Sequence, residues 1–329
     1  MRTPKAISMK FALVAIICSI LNFNCGSNTA ATSPPKKETA FNLITEQQFN
    51  AFFPQRKSFY TYAAFMQAIK ELANIQVKVV RRGISFYQYT RTDKTTGKST
   101  IVRQDQDFDA DWNKKKKDSV FTVNYSKFCT EKDPQTNKKE LAAFLANVAH
   151  ETRNGVIGKF DDGLMYIHEI DTSNSYLSDN DTYPATPGKK YYGRGPLQLS
   201  YNGNYGKASD CIFGNKKVLL NNPELIETNA VVAFKTAIWF WMTPETYKPS
   251  AHDVMIGKWQ PNASDKALGR TPGFGMTVLI INGQVECNKG ENRFLTDRIE
   301  FYQHFLKLMG ISDPNCACSC AKMPPYPNY

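Results

Sequence analysis

The sequence predicts a mainly α-helical protein interrupted by one strand-bearing stretch. Three observations carry this reading. Apolar residues recur at helical spacing in two segments, Leu141, Phe144, Leu145 and Val148, then Leu295, Ile299, Tyr302, Leu306 and Met309. A capping box, Thr45-Glu-Gln-Gln48, marks a helix start. Strand-like alternation is confined to residues 77–128. The 329 residues are 42% apolar and 22% charged, which excludes a disordered or collagen-like chain.

From the N-terminus, residues 1–25 read as an export signal. Arg2, Lys5 and Lys10 give a positive start, and Phe11 to Phe23 is an apolar run too short to span a bilayer. No longer apolar stretch occurs, so no transmembrane helix is expected. Cys25 follows the run and resembles a loose lipoprotein box, although Phe23 and Asn24 are larger than that box prefers. A lipid anchor on Cys25 is the alternative to ordinary secretion. Residues 26–40, small, polar and Pro-containing, read as a flexible linker.

The capping box, with Ile44 and Phe49 as a hydrophobic staple, predicts a helix ending near Pro54. Thr61 can cap a second helix bearing Phe65, Ile69 and Leu72. The pieces ISFYQYT, STIVRQ and SVFTVNY, with a turn-like TTGK, read as strands. Lys114–Lys117 reads as a solvated loop. A helix follows over 138–153, with Gly155 able to end it. Residues 156–221 are rich in Gly, Tyr, Asn, Asp and Ser and read mostly as loop. Pro223 opens a short helix, 230–242 is an apolar helix stopped by Pro244, and Ser250 caps another through Trp259. Periodicity does not decide between helix and strand over 275–283. Gly310 ends the last helix.

The formal charge is +11, from 41 Lys and Arg against 30 Asp and Glu. Loss of residues 1–25 removes three positive charges and leaves 38 against 30, or +8. Such a balance suits a nucleic acid, an anionic wall or a lipid surface, and charge alone does not choose. Of eight cysteines, Cys18 leaves with the signal and lipidation would consume Cys25. The remaining six suit disulfides in an oxidising compartment. The CACSC tail lacks the spacing of a metal site, so no metal is expected.

Glu151 falls three residues after Val148, on the apolar face near the end of its helix. Desolvation and the negative helix pole both favour its protonated form, as a general acid requires. Periodicity alone favours the other reading, a structural Glu paired with an Arg. His150-Glu151 is not a zinc-protease motif, because position 154 is Asn. Glu169 sits where an apolar lead-in gives way to polar residues, which suits a short strand at a cleft edge. Two carboxylates in different environments are what glycoside hydrolysis needs. The segment YYGRGPLQLSYNGNYG, residues 191–206, combines turn glycines with stacking and amide groups that suit a sugar. Phosphate-binding, dinucleotide and GxSxG patterns are absent.

The pieces ITEQQFNAFFPQR, SFYTYAAF, ELAAFLANVAHET, YYGRGPLQLSYNGNYG, NPELIETNAVVAFKTAIWFWMTP, KPSAHDVMIGKW, GRTPGFG, IINGQVEC and DRIEFYQHF follow one another in a family's order. In them the chain resembles the family 19 glycoside hydrolases, the plant-type endochitinases. The resemblance implies a two-lobed, lysozyme-like catalytic domain over 41–320 with a deep cleft. It also implies a small strand-containing insertion at about 77–128 and a C-terminal tail over 321–329. It implies Glu151 as general acid, Glu169 as general base, and Ser200 and Asn204 as holders of the attacking water. His150, Tyr183, Tyr191, Gln198 and Asn282 are implied cleft residues, His150 flanking the acid, and Glu286 and Arg298 form a charge network behind it. Cys287 is implied to pair with Cys316, with Cys318 and Cys320 as alternatives. Arg153 and Asn154 replace small residues after HET, Tyr183 replaces a Trp, and Gly203 replaces a Tyr, which would loosen one cleft wall.

The expected activity is endo-hydrolysis of β-1,4-linked N-acetylglucosamine in chitin or its oligosaccharides, with inversion and no cofactor. The alternatives are a peptidoglycan-cleaving wall hydrolase and a non-catalytic chitin-binding module. The expected protein is an exported monomer, secreted or anchored at the cell envelope, touching the wall but no nucleic acid.

Overall fold

The computed structural model describes residues 44–156 and 158–327. The export signal (1–25), Cys25 and the linker (26–40) lie outside the described residues. The chain opens with α1 (Glu46–Phe52) and α2 (Tyr62–Leu72). Thr45 accepts from the Gln48 amide while the Gln48 side chain accepts from the Thr45 amide, so the capping box forms as read. Thr61 caps α2 through the Ala64 amide.

A four-stranded antiparallel sheet follows: β1 (Ile75–Arg82), β2 (Phe86–Asp93), β3 (Ser99–Gln104) and β4 (Asp118–Asn124), in spatial order β3-β2-β1-β4. The short helix α3 (Asp111–Lys114) lies between β3 and β4. The sheet thus occupies the expected strand-bearing stretch, but its central strand β1 was not among the pieces read as strands. Ile75, Val77 and Val79 do alternate, buried against exposed or half-buried neighbours. Ile84 and Ser85, read as strand, instead form the β1–β2 turn, where Gly83 takes φ +62. Val77, Val79, Tyr89 and Val123 bury the inner face. Arg91 ties that face to the body by donating to the Cys211 and Ile212 carbonyls (3.1 and 3.3 Å), and Arg81 donates to the Thr246 carbonyl (2.7 Å).

The body is built around α4 (Pro134–Thr152). Every residue from Leu141 to Ala149 is 1% exposed or less. A helix apolar on one side only would not be so enclosed. The alanines at 142, 143, 146 and 149 let neighbours approach on all sides, which makes α4 a core helix. Around it lie α5 (Asn202–Phe213), α6 (Lys217–Asn221), α7 (Leu225–Thr228), α8 (Ala230–Met242), α9 (Ala251–Met255), α10 (Ala263–Ala267), α11 (Phe274–Glu286) and α12 (Arg293–Leu308). Phe144 joins the core aromatic cluster, edge-on to Trp241 at 5.6 Å and to Phe128 at 5.2 Å.

The stretch 156–221 is mostly loop, as read, but its end forms α5 and α6. Its glycines and asparagines are poor helix formers, but packing overrides them: a Cβ at Gly206 would lie 2.4 Å from the Tyr183 ring. The undecided 275–283 is helix, broken at Asn282 (φ −139, ψ 33). Cys287 pairs with Cys320, not Cys316, and Cys316 pairs with Cys318. The Asn288 and Gly290 amides donate to the Cys320 and Ala321 carbonyls (both 3.1 Å), which brings Cys320 alongside Cys287. Cys129 and Cys211 remain buried thiols, so four of the six cysteines are bridged.

Among the described residues no helix is long and apolar enough to cross a membrane. The architecture is mainly helical with one small antiparallel sheet.

Candidate active site

A cavity of about 1000 Å³ runs between the end of α4, the 165–204 loops, α11 and the sheet. Glu151 and Glu169 both line it, with Tyr183, Gln198, Ser200, Asn204 and Asn282. Sequence reading had no means of bringing these seven together except by resemblance.

The two carboxylates are joined by the way α4 ends. Thr152 donates to the Val148 carbonyl (2.6 Å) and accepts from the Leu164 amide (2.8 Å). Its carbonyl accepts from the amides of Met165 and Tyr166 (2.9 and 3.1 Å). The chain leaving the helix is therefore folded back on its last turn. From there Gly195 N–H donates to the Ile167 carbonyl (2.7 Å) and Glu169 N–H to the Gly193 carbonyl (2.9 Å). Arg194 and Leu199 exchange both backbone bonds across the Gly195–Gln198 turn. Glu169 thus stands on a short bridge rather than a full strand.

Glu151 accepts from Arg298, whose guanidinium is wholly buried. Arg298 also grips both oxygens of Glu286 (2.8 and 2.7 Å) and donates to Asn147 (3.0 Å). Burial by itself would lower the Arg298 pKa, but the carboxylates of Glu151 and Glu286 overcome it and raise it. The kink at Asn282 lets its amide donate to Glu286 (2.7 Å) while its side chain lines the cavity. The pairing of Glu151 with an Arg, which periodicity favoured, is present.

Glu169 has different company. One carboxylate oxygen accepts from the Tyr176 hydroxyl (2.8 Å), and the other is buried with no hydrogen-bond partner among the described residues. The bond to Glu169, with burial second, pushes the Tyr176 pKa up to about 12. Tyr176 also meets Tyr201 edge-on at 5.2 Å. Ser200 donates to the Gln198 carbonyl (2.9 Å) and Asn204 to the Ser200 carbonyl (2.9 Å), which fixes both side chains at the start of α5.

Two expected cleft residues do not reach the cavity. Tyr191 is 0% exposed, and its hydroxyl donates to the Leu220 carbonyl (2.8 Å) while accepting from the Thr186 amide. It props the loop from behind. His150 turns to Asp297 (Nδ1 to Oδ2, 2.6 Å), where Arg153 also binds. Burial, then the charges of Arg298 and Arg153, hold the His150 pKa well below normal, so it acts as a neutral donor to Asp297. Tyr183 lines the cavity but is 1% exposed, its ring lying flat against Gly206.

Gly203 does not loosen the wall. A Cβ there would lie 2.9 Å from the Asn180 side-chain nitrogen, so Asn180 fills the space. Asn202 clamps the same loop, accepting from Ser178 and donating to the Ser178 and Tyr183 carbonyls (3.0 and 2.7 Å). Sequence reading missed Tyr176, Asn180, and the cavity wall that Tyr87, Tyr89 and Arg103 of the sheet provide. The end of the described chain is likewise part of the wall. Arg270 donates to the Pro324 carbonyl (3.0 Å), and Tyr326 and Pro327 line the cavity.

Comparison with known proteins bears on this arrangement. The family model described as chitinase class I (Glyco_hydro_19) matches residues 116–318. An endochitinase of Pisum sativum is 47% identical over 201 residues, 60% of this chain and 61% of its own length. The match therefore spans less than two thirds of that relative. Among solved structures, a bacterial family 19 chitinase aligns with a TM-score of 0.56 at 31% identity, covering 84% of this chain and 100% of its own. Chitinase C from Streptomyces griseus aligns with a TM-score of 0.56 at 29% identity, covering 84% and 80%.

Proposed function

Because the chain belongs to glycoside hydrolase family 19, the chitinase class I family, we propose that it is an exported endochitinase cleaving β-1,4-linked N-acetylglucosamine chains by single displacement with inversion. The observation that carries this is the pair of carboxylates with unlike surroundings on one cavity. In this reading Glu151 protonates the glycosidic oxygen as the bond to the anomeric carbon breaks. Glu169 takes a proton from water as that water attacks the opposite face of the sugar.

The supporting chemistry is local. Arg298 and Glu286 fix the Glu151 carboxyl at the helix end, so little motion is needed to meet the leaving oxygen. Tyr176 occupies one oxygen of Glu169, and no group among the described residues bonds the other, which leaves it free to take a proton. Ser200 and Asn204 line the same cavity and are read as the groups that hold the water. Inversion requires carboxylates about 6.5–9.5 Å apart, with room for that water between base and sugar. Gln198 and Asn282 offer amides to the N-acetyl and hydroxyl groups.

The test is time-resolved NMR of products from a chitin hexamer, with peptidoglycan in parallel. An initial α-anomer supports inversion, a β-anomer overturns it, and activity on peptidoglycan alone replaces the substrate. Glu151→Gln is expected to lower kcat by about 10²–10⁴-fold while oligosaccharide binding persists. A fully active variant removes Glu151 from the acid role.

A further inference from the structure

The sheet carries a chemistry that the cleft does not use. Between residues 75 and 128 there are twelve Lys and Arg against six Asp and no Glu. The remaining described residues, 44–74 and 129–327, hold 24 Lys and Arg against 23 Asp and Glu. The body is thus close to neutral, and the positive charge of the described protein is concentrated on the sheet.

Part of that charge is internal. Arg82 pairs with Asp118 (2.8 Å), Arg103 with Asp105 (2.8 Å) and Lys114 with Asp111 (3.4 Å). Lys78, Lys98, Lys115, Lys116 and Lys117 have no carboxylate partner among the described residues. Three of these are consecutive and are held at the β1–β2 turn, where the Gly83 amide donates to the Lys117 carbonyl (3.0 Å).

Gly83 is also what lets the cluster form. A Cβ there would lie 2.9 Å from the Lys116 side chain. Without one, the Lys116 stem crosses the turn and sets its ammonium 4.5 Å from the centre of the Trp112 ring and 4.9 Å from that of Phe86. The two rings meet edge-on at 5.4 Å. Trp112 is 52% exposed and Ile84 70%. Phe86 alternates with Tyr87, so this cluster lies on the opposite face of the sheet from the cleft wall. An exposed indole with the Lys116 ammonium held beside it, and two more lysines flanking that residue, presents a stacking surface and anion-binding donors together. Lysines that were merely solvated would not need the rings.

We propose that Trp112, Phe86 and Lys115–Lys117 at the tip of the sheet form a second binding site, separate from the cleft, for a carboxylate-bearing glycan. The choice of a glycan over another polyanion rests on the reading of the cleft as a glycan hydrolase. The aromatic rings would stack on sugar faces and the lysines would meet the carboxylates.

The test uses the full chain, its Trp112→Ala variant and a triple Lys→Gln variant at 115, 116 and 117. Each is pelleted with insoluble peptidoglycan sacculi stripped of phosphate polymers and with neutral chitin powder, and titrated with duplex DNA. The triple variant is expected to lose about tenfold in affinity for sacculi at low salt, with the difference shrinking at high salt. Trp112→Ala is expected to weaken binding at both salts, and a triple Lys→Arg variant to restore it. Neither loss variant should change retention on neutral chitin. Matching thermal midpoints establish that the variants are folded. Unchanged sacculus affinity in both loss variants overturns the site, and wild-type binding to DNA as tight as to sacculi reduces it to a general polyanion patch. Hydrolysis of the chitin hexamer by the wild type is scored separately. Its absence sinks the proposed activity and not the binding result.

Discussion

Glu151 ends a 19-residue core helix and is fixed from behind by a buried guanidinium shared with Glu286. Glu169 sits on an irregular bridge and is held by one tyrosine hydroxyl and neighbouring backbone bonds. One wall of the cleft is therefore ordered by charge on rigid helices, the other by hydroxyls and amides on loops. The difference teaches that the two carboxylates should fail differently. Disturbing the first wall leaves charges buried without partners, whereas disturbing the second removes single neutral hydrogen bonds.

The largest expected effect follows from Arg298. Arg298→Met leaves Glu286, nearly unexposed, facing Glu151 with no cation between them. Removal of one partner from a buried ion pair typically costs about 3–5 kcal/mol. Urea unfolding should register a loss of that size, and the double variant with Glu286→Gln should recover part of it. A loss below about 1 kcal/mol would mean that the network does not behave as a unit.

A carboxylate behind the second wall sharpens the contrast. Asp210, on α5 beside Tyr183, is 2% exposed and forms no salt bridge among the described residues. Burial raises its pKa from 3.8 to about 6, although the charges of Lys216 and Arg103 oppose the shift. A carboxyl whose pKa is higher folded than unfolded favours the folded state when protonated. Its favourable contribution is complete below about pH 3.8 and is lost as the pH rises through about 6. Asp210→Asn should therefore stabilise the protein by roughly 2–3 kcal/mol at pH 8 and by little at pH 4. Equal effects at both pH values would contradict the assignment.

The same contrast explains what the sequence disclosed. Helical periodicity located α4 and α12, and with them Glu151, because a core helix advertises its buried positions by spacing. Caps at Thr45, Thr61 and Ser250 were legible because each satisfies its own local amides. Nothing local distinguishes Tyr176 or Asn180, whose roles arise from contacts across loops. Glu169 was selected by resemblance far more than by its residues. The helix α5 escaped notice because its glycines are explained only by contacts from distant loops, Gly206 by the Tyr183 ring and Gly203 by the Asn180 side chain. Cys287 was matched to the wrong cysteine because three candidates lie within five residues, and only the docking of the 320–321 backbone decides among them.

The smallest predicted effect is the most specific to the second wall. Tyr176→Phe keeps the ring against Tyr201 and removes only the hydroxyl that donates to Glu169. A hydrogen bond to a charged group is worth about 1.5–3 kcal/mol, and part of it is replaced when solvent enters an open cleft. If Glu169 is the base, the loss should fall on kcat, by about tenfold, with KM for a chitin hexamer changed less than twofold. A change confined to KM would instead place Tyr176 among the sugar-contacting residues. An unchanged enzyme would mean that the backbone bridge alone orients Glu169, and that this wall owes its geometry to the loop rather than to the tyrosine.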